Sequence, residues 1–197
     1  ELREEHPAVR YVPDRRMVVD QGVATTTGIS ASMPMSLTLI QAIAGRDKAE
    51  AVAQDLGVGA WDARHESSAF RFSRPFALTA IGNTLGFWRW EQLGIELVPG
   101  VDEVSLALVA DAWSRTFRSR AVTFAKSTGA FETRGGIRIL PDQATEGWPQ
   151  ERALAAVTER PAKELNKALR AIAGRYGRDT ADFVATQLEY PRRGGAL

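Results

Sequence analysis

The chain has 197 residues, of which 44% are hydrophobic and 25% charged, a composition typical of a globular protein with one large domain or two small ones. Its 25 basic and 24 acidic residues leave a formal charge of +1, which gives no reason to predict direct nucleic-acid contact or binding to an acidic membrane. No cysteine is present, which excludes disulfides, thiolate metal sites and a cysteine nucleophile within these residues. Cysteine-free composition suits a reducing compartment, so we predict a cytoplasmic location.

The first third of the sequence alternates short β-branched runs with helical patterns. Residues 9–12, 17–20 and 23–27 predict three strands. A helix follows, with Ser30 or Ser32 as its expected cap. Its predicted buried stripe consists of Met35, Leu39, Ala42 and Ile43. Gly45 closes this helix, and a second helix is predicted to bury Ala49, Val52, Ala53 and Leu56.

The middle of the sequence is less regular. Residues 57–74 disperse Trp61, His65 and Phe70 among polar residues, which is typical of a surface loop held by aromatic anchors. Residues 75–93 predict a helix that is apolar on several faces. A partner surface is therefore expected to cover this helix, so we predict a homo-oligomer.

The second half continues the alternation of helices and strands. Its predicted strands are residues 95–98, 121–125 and 136–140. Its predicted helices are residues 101–117, 149–158, 161–173 and 179–188.

One short pattern occurs twice. Residues 42–46 read AIAGR, and residues 171–175 read AIAGR again. If a short insertion is allowed after the repeated pattern, the residues predicted to be buried in the second helix align with Ala181, Val184, Ala185 and Leu188. Either the two helix pairs are copies of one unit, or small-residue corners of this kind recur by chance. The sequence favours neither explanation.

Residues 23–56, VATTTGISASMPMSLTLIQAIAGRDKAEAVAQDL, resemble the C-terminal half of a ThiJ/PfpI-type domain of the class I glutamine-amidotransferase-like superfamily. Residues 102–142 resemble the opening of such a domain. The resemblance implies an α/β fold, with a partial flavodoxin-like mixed sheet and flanking helices followed by a second, mainly helical α/β unit. The expected units are residues 1–74 and 75–197, both degenerate.

This resemblance implies that the chain is part of a protein acting on a small molecule, as an amidase, hydratase or glyoxalase-like enzyme. The nucleophilic cysteine would lie on a missing N-terminal half, a separate or cleaved chain that would be a partner. The alternative is a non-enzymatic ligand-sensing or transcription-regulator-associated module. In either case the resemblance assigns a pocket-lining role to Thr27, Gly28 and Ser30. The alternative, which the residues themselves favour, is a serine cap beside a turn glycine for the last two.

Histidine is scarce, and the sequence offers only His6 and His65. His6 stands in a charged segment typical of the surface. His65 is the one weak catalytic candidate, as a general base or a switch, because imidazole titrates near neutrality. The alternative is a loop histidine bonded to backbone. Two histidines so far apart in a chain without cysteine predict neither a metal site nor a cofactor.

Overall fold

A computed structural model describes residues 2–70 and 73–190. Its main core surrounds a parallel three-stranded sheet flanked by helices, which confirms the predicted α/β class. The first elements are α1 (Leu2–Glu5), β1 (Met17–Asp20), β2 (Val23–Thr26), α2 (Ser32–Ala44) and α3 (Arg46–Leu56). After them come α4 (Arg74–Leu85), β3 (Glu91–Glu96), α5 (Glu103–Ser114), β4 (Ser119–Ala125), β5 (Phe131–Glu132), β6 (Arg138–Ile139), β7 (Gln143–Ala144), α6 (Pro161–Tyr176) and α7 (Arg178–Gln187).

Strands β1 and β2 form an antiparallel hairpin of their own rather than part of the parallel sheet. Gln21 and Gly22 join them, both with positive φ (47° and 80°), as a tight two-residue hairpin turn requires. A short 3₁₀ turn at Ile29–Ala31 then leads into α2. The hairpin therefore places this turn beside the end of α7, where Ser30 N donates to Leu188 O.

Helix α2 differs from its prediction in cap and in buried face. Neither predicted serine caps it, because the residue before the helix is Ala31 and no side chain bonds there. The buried residues of α2 are Pro34 and Leu37, whereas Leu39 and Ile43 of the predicted stripe are 53% and 77% exposed. The reason is that α2 packs on α3, not on a sheet.

The sheet has the order β3–β4–β7, with both pairs parallel. Leu93 and Ile95 of β3 are buried in the core formed with α5, α6 and α7. Side chains alternate along a strand, so Gly94 points to the other face, where an added Cβ would lie 2.5 Å from the Trp148 ring. That ring stacks on Phe124 of β4, so Trp148 covers the second face of the sheet.

The predicted strand at residues 9–12 is wrong, because those residues form no strand in the structure, and two predicted helices are also wrong. Residues 75–93 divide into α4, which ends at Leu85, and the strand β3, because the apolar run around Leu93 completes the parallel pair with β4. Residues 149–158 contain only a short 3₁₀ turn at Gln150–Arg152, and Leu154 N donates to Gly94 O beside the sheet.

The helix pairs α2–α3 and α6–α7 share one geometry. Gly45 joins the first pair with φ 87° and ψ 167°, and Gly177 joins the second with φ 91° and ψ 159°. This region of φ and ψ is almost restricted to glycine. The pairs are therefore related by an ungapped shift of 132 positions, from 45 to 177. The predicted alignment through Gly174 is corrected, because Gly174 lies inside α6.

The ungapped shift also matches the ends of the two pairs. Val58 N donates to Ala53 O at 2.8 Å, and its counterpart Tyr190 N donates to Ala185 O at 2.9 Å. Six apolar positions carry the same residue in both pairs: Leu37 and Leu169, Ile40 and Ile172, Ala49 and Ala181, Val52 and Val184, Ala53 and Ala185, Leu56 and Leu188. Shared hydrogen bonds and shared residues together favour a duplicated unit over chance recurrence.

Candidate functional site

Four residues that the sequence analysis named as candidates lie together around Glu189, which it did not name. Thr27, Gly28, Ser30 and His65 all contact Glu189, which follows the end of α7. We refer to these five residues as the Glu189 cluster. It joins the turn after β2, the loop before α4 and the end of the second helix pair.

The turn after β2 is fixed from both sides. Thr27 N donates to Arg16 O at 3.0 Å, which holds the end of the hairpin. Ser30 donates from its N to Leu188 O at 3.1 Å and from its Oγ to Glu189 O at 2.8 Å. These bonds satisfy carbonyls that the end of α7 leaves open. Ser30 therefore acts on the end of α7 and not as the cap of its own helix.

Gly28 is required by the closeness of Glu189. A Cβ added at position 28 would lie 2.4 Å from the Glu189 Cβ, and the Gly28 φ is 72°. A side chain at this position would therefore displace Glu189 and strain the turn. The absence of a side chain allows the carboxylate to approach the hydroxyl of Thr27.

Two side chains lie against the Glu189 carboxylate, and one of them, Thr27, donates a hydrogen bond to it. Thr27 Oγ1 lies 3.1 Å from Oε1 and 3.0 Å from Oε2. His65 Nε2 lies 3.1 Å from Oε2. The His65 side chain is only 3% exposed, and that of Glu189 is 25% exposed, so the pair is shielded on the imidazole side and open on the carboxylate side.

His65 is held in one orientation. Its N donates to Asp14 O at 3.3 Å, and its ring stacks on Phe70 with a centroid distance of 5.1 Å and an interplanar angle of 4°. The imidazole lies against the Glu189 carboxylate and the backbone N of His65 is bonded to Asp14, so the catalytic role and the structural role of His65 both stay predictions. Nδ1 is buried and has no hydrogen-bond partner within residues 2–70 and 73–190.

The arrangement is suited to binding and to proton transfer. In a neutral His65 whose Nε2 donates to Glu189, Nδ1 carries a lone pair and can accept a hydrogen bond. A buried polar atom without a partner costs about 1–3 kcal/mol, so Nδ1 is a place where a ligand donor would stabilise the fold. The pocket-lining role of the turn residues and the catalytic role of His65 stay predictions.

Glu189 was missed because its partners are distant in sequence. The signal that could have revealed it is the repeat, read without a gap. Position 57 of the first pair is a glycine with φ 74°, whereas the matching position 189 is a glutamate with φ 47°. A non-glycine residue with positive φ is uncommon and indicates a constraint from elsewhere in the structure.

A cleft lies on the first helix pair. Arg46 and Glu50, paired at 2.7 Å, line this cleft of about 290 Å³ together with Gln41, Gln54 and Trp61. The cleft is polar, and it lies apart from the residues of the Glu189 cluster.

The carboxylate of Glu91, at the start of β3, is bonded to two side chains of α6. Arg175 Nη2 lies 2.6 Å from its Oε2, and Tyr176 donates to its Oε1. The Arg175 guanidinium holds the pKa of Glu91 below its ordinary range, with the Tyr176 hydrogen bond acting in the same direction. Burial, and then the bond to Glu91, raise the pKa of Tyr176. These contacts attach the end of α6 to the sheet.

The described residues contain no group of three or more His, Asp or Glu side chains placed to hold a metal ion. In the same part of the chain, none of the helices combines the length and the apolar character needed to cross a membrane.

Comparison with known proteins identifies no family for this chain. The sequence matches no protein-family model and no curated protein. Among solved structures, an AraC family transcriptional regulator from Pseudomonas putida aligns with a TM-score of 0.37 and 9% sequence identity, over 48% of this chain and 96% of that one. A likeness this weak carries no argument about fold or function.

Proposed function

We propose that this chain is a ThiJ/PfpI-type module that binds a small polar molecule at the Glu189 cluster and acts as a ligand sensor. The observation that carries the proposal is His65: its imidazole is 3% exposed, fixed by Glu189 and Phe70, and keeps Nδ1 without a partner among the described residues. A site with a fixed imidazole and a hydroxyl has polar groups that orient a small ligand.

The sensor proposal agrees with the chemistry of the sequence. No cysteine is present to act as nucleophile, and the Thr27 hydroxyl is bonded to a carboxylate. Binding at the cluster would act on the end of α7, because Ser30 and Glu189 connect the turn after β2 to that helix. A ligand could thereby change how residues 188–190 are held.

NMR of the two histidines tests the proposal. His6 is exposed and serves as an internal reference, whereas His65 reports on the cluster. Acetamide, acetate and methylglyoxal are titrated separately to millimolar concentrations, and at least one is expected to shift the His65 ring signals with saturation while His6 stays unchanged. If none does in either the wild type or a Glu189→Gly variant, or if both histidines shift in parallel, the proposal is wrong.

The second candidate is an enzyme in which this chain supplies acid–base chemistry to a nucleophilic cysteine on a separate N-terminal half. The observation that favours it is the His65–Glu189 pair, since a carboxylate that orients an imidazole prepares it for proton transfer. Intact mass under denaturing conditions of every polypeptide in the natural complex distinguishes the two. A co-purifying, cysteine-bearing chain would support the enzyme, and its absence would leave the sensor.

We also propose that the chain forms a homo-oligomer through α4. Leu78, Ile81 and Leu85 of this helix are 70%, 54% and 62% exposed, which is the pattern of a covered face. Light scattering of the wild type and of a Leu78→Glu, Ile81→Glu variant tests this. The wild type is expected to be larger than a monomer and the variant monomeric.

A further inference from the structure

We propose that the Glu189 cluster recognises a small carboxylate, and that the side chain of Glu189 occupies the place of this ligand. The inference rests on the proposed function, that the cluster is a ligand site, and adds the chemical class of the ligand.

The first support is the set of donors. Thr27 Oγ1 lies within 3.1 Å of both carboxylate oxygens, and His65 Nε2 lies 3.1 Å from one of them. Both donors belong to the first 65 residues, so the receptor for the carboxylate is separate in sequence from the group that fills it. A hydroxyl and an imidazole nitrogen within 3.1 Å of one carboxylate are groups that can bind an anionic oxygen.

The second support is the space that Gly28 leaves. The Glu189 side chain fills the position that a Cβ on residue 28 would occupy, with Cβ, Cγ and Oε2 at 2.4, 2.8 and 2.8 Å from it. The recess therefore accommodates a carboxylate together with the first carbons behind it. Acetate and propionate have this shape.

The third support comes from the repeat. The two helix pairs end with the same backbone bonds, Gly57 N to Gln54 O at 3.2 Å and Glu189 N to Thr186 O at 3.1 Å. The first pair ends with glycine, so this helix end does not need a side chain. Glu189 adopts φ 47°, which glycine tolerates better, and its contacts with the cluster account for its presence.

A tethered carboxylate competes with a free one. An attached group acts as if it were present at a concentration of about millimolar or higher. A free carboxylate should therefore bind the wild type weakly and bind well once the attached one is removed.

The test compares Glu189→Gly with Glu189→Gln. Glycine opens the recess and suits the positive φ, whereas glutamine keeps the recess filled with a side chain of the same size. Sodium acetate is titrated against sodium chloride at equal ionic strength, and the His65 ring signals and the melting temperature are followed. We expect acetate to bind Glu189→Gly at least about tenfold more tightly than Glu189→Gln or the wild type, and to raise only its melting temperature.

A second change locates the binding. Thr27→Val removes the hydroxyl but keeps the shape, so in the Glu189→Gly background it should weaken acetate binding at least about tenfold. Equal affinity with and without Thr27 would show that acetate binds elsewhere and would overturn the inference. If Glu189→Gly does not fold in chloride, its refolding yield in acetate is compared with that in chloride, and equal yields would overturn the inference.

The outcomes separate this inference from the proposed function. If acetamide or methylglyoxal shifts His65 selectively in the wild type but acetate binds Glu189→Gly no better than the wild type, the site exists and the carboxylate class is wrong. If no probe shifts His65 in either protein, both are wrong.

Discussion

The two helix pairs show how one local structure can have two different packing environments. In α6–α7, Ile172 and Val184 are completely buried against α5, the sheet and α4. At the matching positions of α2–α3, Ile40 and Val52 are only half-buried, although the residue types are identical. The glycine corner and the helix ends are therefore set by local sequence, whereas burial depends on what lies beneath the pair.

The largest expected effect is that of truncating the matched isoleucines. Ile172→Ala leaves a cavity in the main core and should lower the free energy of unfolding by about 3–4 kcal/mol. Ile40→Ala should cost only about 1 kcal/mol, because solvent already reaches that side chain. Urea denaturation measures both changes. Equal losses would show that the two pairs are packed alike and would contradict the comparison.

The next effect concerns the two glycine corners. Gly177→Ala and Gly45→Ala place a Cβ where φ is near 90°, and each should cost about 1–3 kcal/mol. Neither site has another atom within 4 Å of the added Cβ, so the cost reflects backbone strain and not a clash. In hydrogen-exchange measurements, Gly45→Ala should lower amide protection only in the α2–α3 pair, whereas Gly177→Ala should lower it throughout the core. A loss confined to one helix pair in both variants would contradict this.

A pH effect is expected where the second pair meets the sheet. The pKa of Glu91 is lowered in the folded protein by Arg175, so the stabilisation is present above the unfolded pKa and is lost as the pH falls through the folded pKa. The free energy of unfolding should therefore fall by about 1 kcal/mol less in Glu91→Gln than in the wild type when the pH is lowered from about 7 to about 3. Urea titrations at the two pH values check this, and an unchanged pH dependence would contradict it.

The smallest expected effect is on the surface of the first pair. Arg46 and Glu50 form an ion pair at 2.7 Å, but their side chains are 70% and 46% exposed. Arg46→Ala should therefore change the free energy of unfolding by no more than about 0.5 kcal/mol. Thermal denaturation at low and high salt measures it, and a loss comparable with that of Ile172→Ala would mean that the cleft beside Arg46 is far more rigid than its exposure indicates.

Sequence patterns predicted some local features of this protein and missed others, among them the cap and buried face of α2 and the structure of residues 149–158. The α/β class is confirmed, and the strand at Met17–Asp20 and the corner at Gly45 lie where the pattern places them. Periodicity alone did not separate α4 from β3, because the run containing Leu93 suits either a buried helix or a buried strand. Only pairing with β4 decides between them.

The candidate site was predicted in part. Its contributors Thr27, Gly28, Ser30 and His65 were singled out for different reasons, but their convergence on Glu189 depends on contacts across more than half of the chain. Such contacts leave no periodic signal in the sequence. The division into units at residues 74 and 75 stays a prediction.

The duplicated helix pairs have a consequence for how the chain folds. The two pairs share six apolar residues at the same spacing, and α2–α3 comes first in the sequence. During folding, either helix pair can therefore pack against the sheet and α5, although only α6–α7 does so in the native structure. We expect a slow refolding phase from chains in which α2–α3 packs there first. Changing Val52 and Leu56 to serine should abolish this phase, whereas an unchanged phase would show that the two pairs do not compete.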